Sequence, residues 1–212
     1  MVLFLLLLSV PLSAGAPKLI FTKSFPGSTP AYCFIRIDRT GALQYKESPA
    51  DDQPLTAQLN EGDTDALFSM AHKLDYFKSP LESGLKVANT GKKTFRYENE
   101  NGSATETSFN YSIDETARQL LERFEQIGAT ERAYLDLDRA VRYDKLGVNE
   151  ALAEVESLWL RKQLVTPLQF IPLLNRITAH ESYMHLARDR AARLHDAFQS
   201  PTPSPTPEQR TK

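Results

Sequence analysis

An α+β fold, with a mainly antiparallel sheet of about five strands and a C-terminal run of antiparallel helices, is what this sequence predicts. Three observations carry that reading. Apolar residues alternate with polar ones at period two only in the N-terminal half. An Asn101-Gly102 pair sits between two alternating runs and marks a hairpin. From Ser112 onward the apolar spacing changes to three and four, the helical period. The resulting order, β-β-β-α-β-β-α and then further helices, keeps strands and helices apart, as α+β proteins do.

Residues 18–25, "KLIFTKSF", read as the first strand, with Leu19, Phe21 and Phe25 on one face. "PGSTP" ends it. "AYCFIRID" is the second strand. Cys33, Ile35 and Ile37 share one face and Tyr32, Phe34 and Arg36 the other, which suits a central position. "DRTG" turns the chain into a third strand, "ALQYKES", and a polar loop with Pro49 and Pro54 follows. Leu67, Met70, Ala71 and Leu74 set a helix over about 61–75, with Asn60, Asp63 and Thr64 as candidate N-caps. In the hairpin, Phe95 and Tyr97 precede the turn, and Thr105, Thr107, Phe109 and Tyr111 follow it. Asn-Gly predicts a type I′ turn, whose two central residues both need positive φ.

Ser112 and Glu115 form a capping box ahead of a helix carrying Ala117, Leu120, Leu121, Phe124 and Ile127, which Gly128 is expected to stop. Helices over 131–145, ended by Gly147, and over 150–163, capped by Asn149, come next. "TPLQFIPLLNRI" starts near Thr166-Pro167, and Pro172 delays its regular turns until about Ile171. The last helix is expected over about 179–198, opened by a second capping box of Thr178 and Glu181.

At 212 residues the chain suits one domain with an appendage, and 41% apolar content is enough to bury a core. Residues 1–16 read as a signal peptide: an apolar run from Val2 to Leu8, Pro11, then Ser13, Ala14, Gly15 and Ala16. The run is too short to span a bilayer, so no stable membrane span is expected after cleavage. Residues 17–128 form the expected sheet domain and 129–199 a helical region packed on or extending from it. Residues 200–212, with prolines at 201, 203, 205 and 207, read as a disordered tail. A net charge of −2 without a basic stripe gives no expectation of a nucleic-acid partner.

Candidate chemistry is sparse. "TAHESYMHLARDRAARLH" holds three histidines, but a zinc helix needs His-Glu-x-x-His, and His180 and His185 are five apart. Glu181, His185, Asp189 and Arg193 instead form one charged stripe, and Arg190 falls on the apolar side, where it must snorkel or meet an acid. "GLKVANTGKKT" lacks phosphate-loop spacing and leads into a strand. Asp136 and Asp138 face apart on a helix, Asp138 and Arg142 suit an ion pair, and no Gly-x-Ser-x-Gly elbow occurs. The sole cysteine, Cys33, reads as a small buried hydrophobe. No catalytic residue, metal site or cofactor is expected. The aromatic sheet carries the functional expectation. Tyr32, Phe34, Tyr45, Phe95, Tyr97, Phe109 and Tyr111 crowd it and most are expected in the core; if the helices cover only one face, Tyr32, Phe34, Tyr45, Tyr97 and Tyr111 are the candidate binding surface.

The N-terminal run, "YCFIRIDRTGALQY", "LDYFKSPLE", "GKKTFRYE" and "ATERAYLDLDRAVRYDKLGVNEAL" together resemble a group of uncharacterised exported bacterial proteins of acidobacterial type. The resemblance spans most of residues 18–198. It implies export and the α+β plan, and no activity. The expected function is macromolecular binding in the cell envelope, periplasmic or secreted, with another envelope or secreted protein as partner. The alternative is an envelope hydrolase with a site no motif reveals, and a rigid helical spacer is a third possibility.

Overall fold

The computed structural model describes residues 15–200. The expected export signal, but for its last two residues, and the Pro-rich tail, but for Ser200, lie outside the described residues. The α+β class holds. Strands β1 (Lys18–Ser24), β2 (Tyr32–Asp38), β3 (Ala42–Lys46), β4 (Leu55–Gln58), β5 (Lys92–Glu98) and β6 (Ala104–Phe109) form one sheet in the order β4-β3-β2-β1-β5-β6. Every neighbouring pair is antiparallel.

The sixth strand corrects the expected five. β4 lies in the segment expected to be a polar loop. It has four residues, follows Pro54 and sits at a sheet edge, where a proline is tolerated. Two periods of alternation, Leu55 and Ala57 inward and Thr56 and Gln58 outward, are too few to stand out in sequence.

Antiparallel register lines up two apolar rows across the sheet. Leu55, Tyr45, Ile35, Phe21, Phe95 and Thr107 make one; Ala57, Leu43, Ile37, Leu19, Tyr97 and Thr105 make the other. Helix α1 (Glu61–Lys73) covers these rows with Leu67, Phe68 and Ala71. Of its three candidate caps, Asn60 acts: its side chain accepts from the Asp63 amide at 2.8 Å. A turn of three positive-φ residues follows, Asp75, Tyr76 and Phe77. Left-handed backbone costs about 1–2 kcal/mol per non-glycine residue. The turn offsets that cost by burying Phe77 against Phe95, ring centres 5.3 Å apart, and stacking Tyr76 on Tyr97 at 4.3 Å.

The hairpin turn also departs from expectation. Only Gly102 has positive φ, and Gly102 N–H donates to the Asn99 carbonyl at 3.0 Å. The loop is thus the three-residue kind closed by a glycine, in place of the two-residue type I′ turn. The Asn99 side chain selects it by accepting from the Asn101 and Ser103 amides.

The largest correction concerns Gly128. Helix α2 (Glu115–Tyr143) passes straight through it for 29 residues. A glycine stops a helix by turning left-handed, and Gly128 keeps a right-handed helical backbone. Ala117, Leu120, Phe124 and Ile127 face the sheet; Ala133, Leu137, Ala140 and Val141 enter a second core. That core is closed by α3 (Val148–Leu160), α4 (Ile171–Ala179) and α5 (His185–Gln199).

Both expected capping boxes are absent. Asp114 caps α2, accepting from the Ala117 amide at 2.9 Å, while the Ser112 hydroxyl accepts from the Asp114 amide at 3.3 Å. Residues 180–184 form a turn between α4 and α5 in place of a helix start. Tyr183 holds that turn inward, its hydroxyl donating to the Val141 carbonyl at 3.0 Å. Gly147 occupies the cap position of α3, which leaves Asn149 for another task. Arg190 donates to the Asn149 carbonyl at 2.9 Å and side chain at 2.5 Å, and to Glu156 at 2.9 Å. The charge on the packing side of α5 therefore joins α5 to α3.

Gly128 yields a prediction. A Cβ placed there would meet the Cys33 Sγ at 3.6 Å and Ile35 Cδ1 at 3.7 Å, ordinary contact distances. Gly128→Ala should raise stability by about 0.5–1 kcal/mol through helix propensity. Urea unfolding followed by far-UV circular dichroism measures it. A lower midpoint than wild type would refute the account of an unstrained mid-helix glycine.

Candidate functional site

Three places gather chemistry. The first is the sheet face opposite the helices. It presents Tyr32, Phe34 and Arg36 of β2, Ile20 of β1, Lys46 of β3, and Thr94 and Arg96 of β5, none of them buried. Lys18 and Lys92 lie toward opposite ends of this face. Arg96 is closed by Glu98 at 3.0 Å and Glu106 at 3.1 Å. The Lys46 ammonium lies 5.8 Å from the centre of the Phe34 ring. Among the described residues Lys18, Arg36 and Lys92 have no ion-pair partner within 4.0 Å.

The five aromatic residues expected as one surface are not one surface. Tyr32 and Phe34 stand on the open face. Tyr45 is 1% exposed in the core, its hydroxyl donating to Glu47 at 2.9 Å. Tyr97 faces the helices and stacks on Tyr76. Tyr111 lies past the end of β6, exposed. Strand parity decides this: odd positions of β3 and β5 point to the helices, even positions of β2 away from them.

The second place is a cleft of about 320 Å³ between the β1–β2 loop and α2. Phe21, Cys33, Tyr45 and Phe124 line it. Ser28 braces the loop, its hydroxyl lying 2.7 Å from both the Phe25 and the Pro30 carbonyl and able to donate to either. At the mouth Lys23 pairs with Glu125 at 2.8 Å, and Arg132 donates to the Thr29 carbonyl. Burial, helped by the Glu47 carboxylate, pushes the Cys33 thiol up to about 12. The thiol keeps its proton, as a small hydrophobe would require, but Cys33 is partly buried where a buried position was expected, because it lines the cleft.

The third place gives no sign of itself in sequence. Glu131 is fully buried where α2 passes between the two cores. Its Oε1 accepts from Thr166 and Gln169, both at 3.1 Å, and its Oε2 has no partner. Burial pushes the carboxyl up to about 7, against the lowering effect of those two donors. Beside it, Thr130 accepts from the Val165 amide at 3.1 Å. This pair fastens the chain that leads from α3 to α4 onto α2.

The histidines do not converge. His180 ends α4 and His185 begins α5, where it pairs with Asp189 at 2.8 Å. Glu181 lies outside the helix and Arg193 reaches Glu156 at 4.0 Å, so the expected stripe reduces to one pair. Asp138 pairs with Arg142 at 2.9 Å as expected. "GLKVANTGKKT" is a loop entering β5, and its Lys93 ammonium is tied to Thr90 at 2.6 Å and the Asn110 carbonyl at 2.7 Å. Among the described residues no three His, Cys, Asp or Glu side chains are grouped to hold a metal, and no helix is long and apolar enough to cross a membrane. No protein-family model matches the chain, and no curated protein shows significant sequence similarity to it.

Two of the shifted groups, Cys33 and Glu131, are open to measurement. At pH 8 iodoacetamide should alkylate Cys33 in the folded protein at least about 100-fold more slowly than in the urea-unfolded chain, because the thiolate is the nucleophile. Timed aliquots read by mass spectrometry decide it, and rates within tenfold of each other would refute the raised thiol. The Glu131 carboxyl rises from an ordinary 4.5 to about 7 on folding. The folded protein therefore binds this proton more tightly than the unfolded chain. Its contribution is most favourable below about pH 4.5 and is lost as pH climbs through about 7. Glu131→Gln keeps the acceptor and removes the charge. A tenfold difference in proton affinity is worth roughly 1.4 kcal/mol. Relative to wild type the variant should therefore gain about 3 kcal/mol between pH 4.5 and 8. Urea titrations across that range would show parallel stability curves if Glu131 were not the titrating group.

Proposed function

We propose that this protein is exported and acts by binding, through the uncovered face of its sheet, an acidic surface on another exported protein. One observation carries the reading: the face sets Tyr32, Phe34 and Ile20 among Lys18, Arg36 and Lys92, none of which has an ion-pair partner within 4.0 Å among the described residues, with Asp38, across from Lys18, as a nearby acid. Amphipathic aromatics beside basic groups suit a protein contact with electrostatic steering. The chain's net charge is −2, so this basic face is a local feature. The apolar N-terminal run ending in small residues supports export. Binding in place of catalysis is supported by the state of the three most strongly shifted groups. Tyr45 and Glu131 are sealed inside, and Cys33 holds its proton.

The test is crosslinking capture from the native envelope fraction with the purified protein as bait. A reproducible partner should be lost with Arg36→Glu/Lys92→Glu and retained with Arg176→Glu on α4. It should also be lost near 1 M salt, where the Debye length is about 3 Å. Capture indifferent to the face substitutions would overturn the proposal.

A further inference from the structure

We propose that the cleft beside Cys33 binds a small apolar carboxylate of one or two rings. It lies on the helix side of the sheet, so this site is independent of the open face. Four observations converge. The first is size. An apolar cavity of about 150 Å³ takes one benzene ring, and this cleft measures about 320 Å³.

The second is the chemistry of its floor. Phe21 and Phe124 stack at 5.0 Å. Tyr45 offers only its ring, because its hydroxyl is committed to Glu47. Cys33 offers a neutral thiol. These groups make an apolar bed with no unmet polar demand.

The third is Gly128. A glycine in the middle of a 29-residue helix weakens that helix, and nothing in its backbone conformation requires one. An alanine Cβ would fit without a clash, 3.6 Å from the Cys33 Sγ and 4.0 Å from the Tyr45 ring. What the glycine does is leave that space empty, at the floor of the cleft.

The fourth is the charge at the mouth. Of the lining residues, Lys23, Arg132 and Glu125 leave one net positive charge, with the Glu47 and Asp136 carboxylates just outside the lining. Lys23 is taken by Glu125 at 2.8 Å. Arg132 faces an acid, Asp136, that stands 3.7 Å away and is shared with Arg139 at 3.1 Å. Its planar fork has donors to spare for a carboxylate, and one guanidinium matches a single negative charge.

The experiment uses the purified protein, 15N amide shifts, and two probes of one shape, 2-naphthoate and naphthalene-2-methanol. Naphthoate should give saturable shifts centred on Phe21, Cys33, Gly128 and Arg132. The alcohol should bind about tenfold more weakly, the worth of one charge-assisted hydrogen-bonded pair. Arg132→Gln should bring the two probes level. Gly128→Leu should abolish binding of both, and Gly128→Ala, which keeps the fold, should weaken both severalfold. Non-saturable shifts, an alcohol that binds as tightly as the acid, or unchanged binding in Gly128→Ala would each overturn the proposal.

Discussion

Helix α2 runs unbroken from the sheet into the helical bundle, and the remaining architecture follows from that continuity. Twenty-nine residues make a rod about 43 Å long, at 1.5 Å per residue. Its first half lies on the sheet and its second half forms one wall of the bundle. The two halves do not bury the same side. At about 100° per residue, the stripe of Ala117, Leu120, Phe124 and Ile127 lies roughly 130° around the helix from that of Ala133, Leu137, Ala140 and Val141. The bundle must therefore stack beyond the sheet and around the rod. One face of the sheet is covered by α1 and the first half of α2, and the other is left open.

The change of phase falls at Thr130 and Glu131. Glu131 still points in the direction of the sheet-facing stripe, but the sheet has ended there, and the segment after α3 fills the gap. Thr166 and Gln169 supply donors, so the position asks for an acceptor. A carboxyl meets that need with one oxygen and leaves the other without a partner. The cost of burying charge falls on ionisation, and a raised carboxyl is its expression. Two cores that share one helix are thus joined by a polar seam whose stability depends on pH.

Much of this is legible in sequence, and the departures share a cause. Strands β1, β2, β3, β5 and β6 are plain because period-two alternation in a sheet with one buried face is strong. α2 reads as two helices because its apolar stripe shifts phase where a glycine happens to stand. Local pattern reports which side is buried and cannot tell a break in the backbone from a change of neighbour. Capping boxes fail for a similar reason. Asp114 outcompetes Ser112 by position, and Tyr183, anchored to α2, decides where α5 begins. The aromatic surface is half legible. Parity separates Tyr32 and Phe34 from Tyr45 and Tyr97 once the register is known, but which side the helices take is a tertiary fact. Glu131 looks like one more charge on a helix; its burial comes from a segment more than thirty positions away.

Gly128 connects these points. As a helix residue it is a poor choice, and as a stop signal it does not act. The proposed cleft would give it a use in volume. Where α2 crosses β2 and β3, the missing side chain keeps a gap above Cys33 and Tyr45 that any other residue would begin to fill. Proteins give up stability at positions where function needs space, and a substitution that strengthens the rod while closing the gap separates the two demands. If stability and cleft binding move in opposite directions at this one position, the glycine is there for the cleft. If they move together, α2 tolerates it for packing alone.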